Sequence, residues 1–303
     1  MTADTEAVSK GSVNVDLVTR LIAAQFPEWA DLPVRPVDVS GWDNRTFRLG
    51  EDMSVRLPSA AGYVAAVEKE QRWLSHLAPH LPLPIPVPLG KGVPGQGYPW
   101  PWSVNRWLTG ETATLDRIDD LTRFAEDLSA FLIALEAVHP TGGPIAGAHS
   151  FYRGASLAVY DDETRRAITT LGDRIDAAAA TVVWDDALAA TWNGPPVWFH
   201  GDVAFGNLLV QDGRLAAVID FGTSGVGDPA CDVVIAWTLL SGESRAAFRA
   251  ALPLDDATWT RGRGWAIWKA LITLAEHDRT DPVKASEVRS VIAEVLADQR
   301  RFA

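Results

Sequence analysis

Three oxygen-bearing side chains, Asp202, Asn207 and Asp220, fall in one short stretch, with His200 two residues ahead of the first. Carboxylate and amide oxygens suit a small hard cation such as Mg2+, which keeps waters and substrate phosphates in its octahedron and needs few ligands from the protein. One amide oxygen and one carboxylate suffice. Asn207 and Asp220 have that chemistry, and Asp202, five residues before Asn207, is left to accept a proton. Taken singly, either Asp could cap a turn or a helix, and His200 could be a buried histidine satisfied by hydrogen bonds. The joint spacing is what points to chemistry. His200 reads as a brace for the loop, and Phe221 and Gly222 as packing and backbone positions.

The elements that must position these groups are two apolar strands, 208–210 and 216–219, joined by a turn over 211–214. Asp212 and Gly213 give that turn the Asp-Gly signal of a two-residue hairpin. Asp202 and Asn207 precede the first strand and Asp220 follows the second, so a closed hairpin brings all three to one end.

Around this unit the chain changes character. Apolar spacing predicts a helix from Asn14 or Asp16 to Phe26, then two extended pieces over 37–49 around a turn from Gly41 to Asn44, a strand over 53–57 and a helix over 63–77. The proline-rich strip 81–88 cannot be helical and reads as an extended connector. A further strand is expected over 102–108. Beyond it the pattern is helical: 121–138, one or two helices over 161–190, then 228–240, 243–251, 259–277 and 283–302. No internal repeat is present.

His200, Gly201, Asp202 and Asn207, followed by Asp220, Phe221 and Gly222, resemble the catalytic loop of protein-kinase-like phosphotransferases. With Gly227, Asp228, Pro229 and Asp232 added, the sequence resembles the aminoglycoside phosphotransferase family, small-molecule kinases related to choline kinases, from about residue 36 to the C-terminal helices. The resemblance implies an α+β, two-lobed protein-kinase-like fold. A small antiparallel sheet would form an N-terminal nucleotide-binding lobe over 1–105, and a larger, mainly helical lobe over 106–303 would carry catalysis and the acceptor. It also implies ATP or GTP as phosphate donor with Mg2+. Asp202 would be the catalytic base, Asn207 and Asp220 the metal ligands, and Gly41 to Asn44 the loop over the phosphates. Arg56 would hold phosphate with Glu70 as its ion-pair partner. Two departures stand out: Arg56 replaces the family's usual lysine, exchanging a point charge for a planar fork, and the turn at Gly41 lacks the Gly-x-Gly-x-x-Gly spacing of protein kinases. Gly201 occupies the place of the protein-kinase arginine that pairs with an activation-loop phosphate. No Ala-Pro-Glu follows, so a constitutively assembled site is expected. Asp228 and Asp232 read as a helix cap and a brace for the catalytic loop.

The 303 residues carry 27 Lys and Arg against 39 Asp and Glu, a net charge of −12. Residues 1–110 hold 10 basic and 11 acidic side chains, and residues 111–303 hold 17 and 28. No basic cluster is present to release counterions, so no nucleic-acid partner is expected. No apolar run reaches a membrane span and the N-terminus has no apolar signal core, so no membrane association is expected. A single cysteine, Cys231, allows no intrachain disulfide and fits a cytoplasmic protein. Nothing in the sequence specifies an oligomeric state.

The acid excess of the second half favours a cationic small-molecule acceptor, first an aminoglycoside-like antibiotic. Candidate carboxylates are Asp161, Asp162 and Glu163, and later Glu276 and Asp278 beside His277; Trp265 and Trp268 could wall a sugar or an amine. The alternatives are a metabolic acceptor such as choline, a sugar or an amino acid, or a nucleotide-binding pseudokinase, against which the presence of Asp202, Asn207 and Asp220 argues.

Overall fold

The computed structural model describes residues 13–37 and 43–302. Its elements, in chain order, are α1 (Val15–Gln25), β1 (Val34–Pro36), β2 (Asn44–Leu49), β3 (Met53–Pro58), α2 (Val64–Leu77), β4 (Pro88–Gly92), β5 (Trp102–Arg106), β6 (Glu111–Thr112) and α3 (Leu121–Ala137). After them come α4 (Asp161–Leu171), α5 (Ala177–Ala189), β7 (Val197–Phe199), β8 (Leu208–Gln211), β9 (Arg214–Val218), β10 (Gly225–Gly227), α6 (Ile235–Thr238), α7 (Gly242–Ala251), α8 (Asp256–His277) and α9 (Pro282–Phe302). They divide into two compact units. The first holds the described residues up to Gly110 together with Ala216–Gly222, and the second holds Glu111–Leu215 and the chain from Thr223 onward.

The first unit is built on a five-stranded antiparallel sheet in the order β1-β2-β3-β5-β4. Phe47, Leu49, Val55, Leu57, Trp102 and Val104 put their side chains into one core, which α1 closes with Leu17, Val18, Leu21 and Ile22. Alternation along the strands and a helical stripe on α1 are the two periodicities that make this burial possible. Asn14 caps α1 by accepting the Leu17 amide at 3.0 Å. Pro58 ends β3 opposite Asn44, beyond the residues of β3 that pair with β5, so its missing N–H costs no ladder bond there. The first strand lies at Val34–Pro36, earlier than the extended piece expected from residue 37. Its register, with Val34 opposite Leu49, matches it to the far half of β2. Helix α2 is tied to the sheet by Gln71, which donates from Nε2 to Gly90 O at 3.1 Å and Ser103 Oγ at 3.0 Å.

The second unit is mainly helical. Helix α8 is its axis: α5 and α9 pack on it, and Trp259, Trp265, Ile267, Leu271 and Leu274 are buried. Short ladders stitch β7 and β8 into it, with β6 against β8 and β7 against β10. The turn between β8 and β9 is the tight one expected, Asp212 and Gly213 both adopting positive φ (49° and 73°) as a type I′ turn requires. The helix expected over 228–240 is instead a 3-10 segment, Pro229–Val234, followed by the single turn α6. Asp228 caps that segment at the Ala230 amide, and Asp232 within it is drawn to backbone outside it. No helix among the described residues is long and apolar enough to cross a membrane.

Candidate active site

In the second unit the loop after β7 is fixed by Asp232. Its carboxylate accepts the amides of His200 at 2.7 Å and Gly201 at 2.6 Å, and the group is buried. Burial pushes the Asp232 pKa up, while these two amides work against that shift. Gly201 has φ +86°, and a Cβ there would stand 2.8 Å from Thr223 O. Only glycine fits. His200, fully buried, accepts the Asp202 amide on Nδ1 at 3.2 Å, and Thr223 Oγ1 donates to His200 O at 3.0 Å. Thus the segment up to Asp202 is held by backbone contacts, and the Asp202 carboxylate itself remains exposed.

Asn207 ends a 3-10 turn over Phe205–Asn207 and donates from Nδ2 to both Asp202 O (3.0 Å) and Asp202 Oδ2 (2.8 Å). That directs its nitrogen to Asp202 and turns Oδ1 away. Asp228 accepts Arg261 Nε at 2.6 Å and Nη2 at 3.1 Å in a buried pair. Glu136, on α3, was not singled out by its sequence. Burial and the nearby Asp232 and Asp228 carboxylates push its pKa up to about 7.

Asp202 opens onto a chamber of about 530 Å³, wholly within this unit. Leu115, Val203, Val234, Leu239, Val288 and Val291 give it apolar walls, and the buried Trp265 and Trp268, edge to face with ring planes 82° apart, complete the lining. Trp268 stacks on Tyr160 at 4.1 Å between ring centroids and donates from Nε1 to Glu163 Oε2 at 2.8 Å. The charged lining residues besides Asp202 are Arg153, Lys269, Lys284 and Glu287, the last two paired at 3.1 Å.

The carboxylates expected to meet an acceptor do not line this chamber. Asp161 accepts Arg165 Nε at 2.8 Å and Trp184 Nε1 at 2.7 Å, and Asp278 is gripped by Arg174 and Arg289. Hydrogen bonding from Arg174 above all holds Asp278 below the usual carboxylate range. Asp162 is exposed in the first turn of α4, where an acid complements the helix dipole, and Glu276 faces solvent. Of that expected set, Trp265 and Trp268 are in the wall. The acid excess of residues 111–303 therefore lies off the chamber.

In the first unit, Arg56 on β3 donates from Nη1 to Glu70 Oε1 at 3.4 Å and from Nη2 to Asp220 Oδ1 at 3.1 Å. Burial opposes the guanidinium charge, and the Glu70 and Asp220 carboxylates outweigh it, raising the Arg56 pKa. Asp220 is a non-glycine residue at positive φ (64°), a conformation an Asp tolerates better than most. Asn44 opens β2 opposite Pro58. Gly41 lies outside the described residues. Lys69, beside Glu70 on α2, carried no motif signal. Its buried Nζ donates to Gly222 O at 2.7 Å, and burial pulls its pKa down to about 8.

Among the described residues no cluster of three or more His, Cys, Asp or Glu could hold a metal ion. An amide oxygen and a carboxylate, Asn207 and Asp220, are a donor set suited to Mg2+ that shares its shell with phosphates and water. Asn207 belongs to the second unit and Asp220 to the first.

The family model described as a phosphotransferase enzyme family matches residues 34–265. No curated protein matches the sequence. Among solved structures, the chain is similar to the GDP and kanamycin complex of APH(2")-IIia, at 20% identity over 93% of this chain and 98% of that one, with a TM-score of 0.73. It is also similar to the GDP complex of wild-type aminoglycoside 2'-phosphotransferase-IIIa, at 19% identity over 94% and 99%, with a TM-score of 0.68. The apoenzyme of macrolide 2'-phosphotransferase MphH from Brachybacterium faecium matches at 22% identity over 93% and 97%, with a TM-score of 0.56. These likenesses establish the fold, the two-lobed kinase-like architecture of a small antiparallel sheet and a mainly helical part.

Proposed function

Because the chain belongs to the phosphotransferase enzyme family, we propose that it moves the terminal phosphoryl group of ATP or GTP to a hydroxyl of a small molecule. The observation that carries this reading is the exposed Asp202 carboxylate on the chamber wall, with Asn207 Nδ2 on its Oδ2 at 2.8 Å. A base must reach the proton it takes, and Asn207 holds one carboxylate oxygen so that the other can face an acceptor hydroxyl. In the step, the acceptor O–H proton passes to Asp202, the acceptor oxygen forms the new O–P bond, and the bond from the γ-phosphorus to the bridging oxygen breaks. The nucleoside diphosphate leaves. Such transfers depend on position and charge neutralisation more than on covalent help.

Arg56 is assigned to the nucleotide phosphates, with Glu70 and Asp220 fixing its planar fork. Asn207 Oδ1 and the Asp220 carboxylate would hold magnesium, which when bound neutralises charge on the phosphates. Asn44 and the turn at Gly41 are assigned to the same nucleotide. His200, Asp228 and Asp232 are positioning residues. Nucleotide complexes of similar structures support a nucleotide donor, and the kanamycin complex of one of them supports a small-molecule acceptor.

A polycationic aminoglycoside is the acceptor the family resemblance suggests first. The chamber lining supports instead an acceptor with an apolar body, because Asp202 is its one carboxylate not paired to a lysine. The test is transfer of labelled γ-phosphate from ATP and from GTP, with magnesium, to a panel of aminoglycosides, macrolides, choline and sugars, and to hydroxylated apolar acids. Transfer to at least one is expected. Tight nucleotide binding with no acceptor phosphorylated would replace the kinase reading with a pseudokinase.

A further inference from the structure

The chamber's chemistry is lopsided in a second respect: it is rich in donors and poor in acceptors. Arg153 lies over the rings of Trp265 and Trp268, its guanidinium carbon 5.2 Å and 4.6 Å from their centroids. Arg153 Nη1 and Trp265 Nε1 are buried with no hydrogen-bond acceptor among the described residues. Lys269 also lines the chamber, its Nζ 5.9 Å from the centroid of the Trp268 ring. With Lys284 and Glu287 cancelling each other, Arg153 and Lys269 face the single charge of Asp202.

Accepting the phosphotransfer reading above, on which this rests, we infer that the acceptor is an alcohol with an apolar body that carries a carboxylate, held by Arg153 and Lys269. The apolar walls take the body, and Asp202 takes the hydroxyl proton. A guanidinium and an ammonium on one wall are what a carboxylate calls for, the first through its fork and the second as a point charge. An acceptor bearing several ammonium groups would meet both cations at close range and find one carboxylate, which must be free to act as base. Arg153 and Lys269 thus set the charge sign of the acceptor.

The test uses three ligands of one shape on the full chain: para-hydroxymethyl biphenyl carboxylate, its carboxamide and its aminomethyl analogue. Calorimetry measures their binding at low salt, and labelled ATP with magnesium measures transfer to each. The carboxylate is expected to bind about tenfold tighter than the amide, as a charge-assisted pair replaces a neutral one, and the amine weakest. Lys269→Gln and Arg153→Gln should each shrink the ratio of carboxylate to amide affinity. Because Arg153 packs on two tryptophans and its variant can lose fold, the exposed Lys269 provides the independent check. Equal or tighter binding of the amine, binding of none of the three, or an unchanged ratio in both variants would overturn the inference. Preferred transfer to the amine would overturn it while the kinase reading stands. A carboxylate preference with no transfer to any alcohol would sink the kinase reading and leave the anion site in place.

Discussion

The Asp232 carboxylate holds the amide of Gly201 at 2.6 Å, thirty-one residues away in the chain, and takes the neighbouring His200 amide with its other oxygen. This places a buried acceptor under the backbone that leads directly into Asp202, so the loop after β7 is set by main-chain geometry.

Removing that acceptor strands two buried N–H groups, each costing about 1–3 kcal/mol when left unpaired. Asp232→Ala should therefore lower the unfolding free energy by about 2–6 kcal/mol and depress turnover with it. Gly201→Ala attacks the same geometry from the other side, forcing a Cβ to within 2.8 Å of Thr223 O at φ +86°. Denaturant melts and kcat on both variants check this. A Gly201→Ala protein with native stability and native kcat would contradict the brace.

Arg56 bridges Glu70 and Asp220, and Glu70 is buried. Arg56→Ala leaves that carboxylate uncompensated, a loss of about 3–5 kcal/mol for a buried pair broken on one side. Arg56→Lys keeps the charge but cannot serve both carboxylates with a planar fork. It should fold well and raise the nucleotide KM about tenfold, measured by initial rates at saturating acceptor. Unchanged KM in Arg56→Lys would remove Arg56 from phosphate binding.

Glu136 supplies a pH test. Its pKa in the folded protein is pushed up to about 7, above the ordinary 4.5, so the native state holds a proton that the unfolded chain has released between those values. Stability from this group is complete below pH 4.5 and is lost as pH rises through 7. Glu136→Gln should be more stable than the parent at pH 8 and no different at pH 4, as thermal melts at both values will reveal. An advantage at pH 4 equal to that at pH 8 would rule the titration out.

How much of this was legible in the sequence follows from locality. The 208–219 hairpin, its Asp212-Gly213 turn and the helices α2, α3, α8 and α9 follow from short-range pattern, and most lie within a few residues of expectation. The structure sets Asn207 against Asp202, five residues away, as an internal hydrogen bond. What the sequence hid was non-local. Arg153 has no motif around it and reaches the chamber only because the chain between α3 and α4 packs under Trp265 and Trp268. Net charge sums over surface and does not locate a site: Asp161 and Asp278 are occupied by arginines and a tryptophan of the same chain. The 228–240 region departs from its helical pattern where Asp232 is committed to the amides of residues 200 and 201. Lys69 has no motif around it, and only the fold aims its Nζ at Gly222 O.

The central claim is that Asp202 takes the acceptor proton during phosphoryl transfer. Single-turnover transfer from labelled ATP, compared between the parent and Asp202→Ala at saturating acceptor with nucleotide affinity measured in parallel, tests it most directly. Loss of a general base predicts a fall of about 10²–10⁴-fold in the rate of transfer with nucleotide affinity nearly unchanged. An Asp202→Ala protein that transfers phosphate at the parental rate would contradict it.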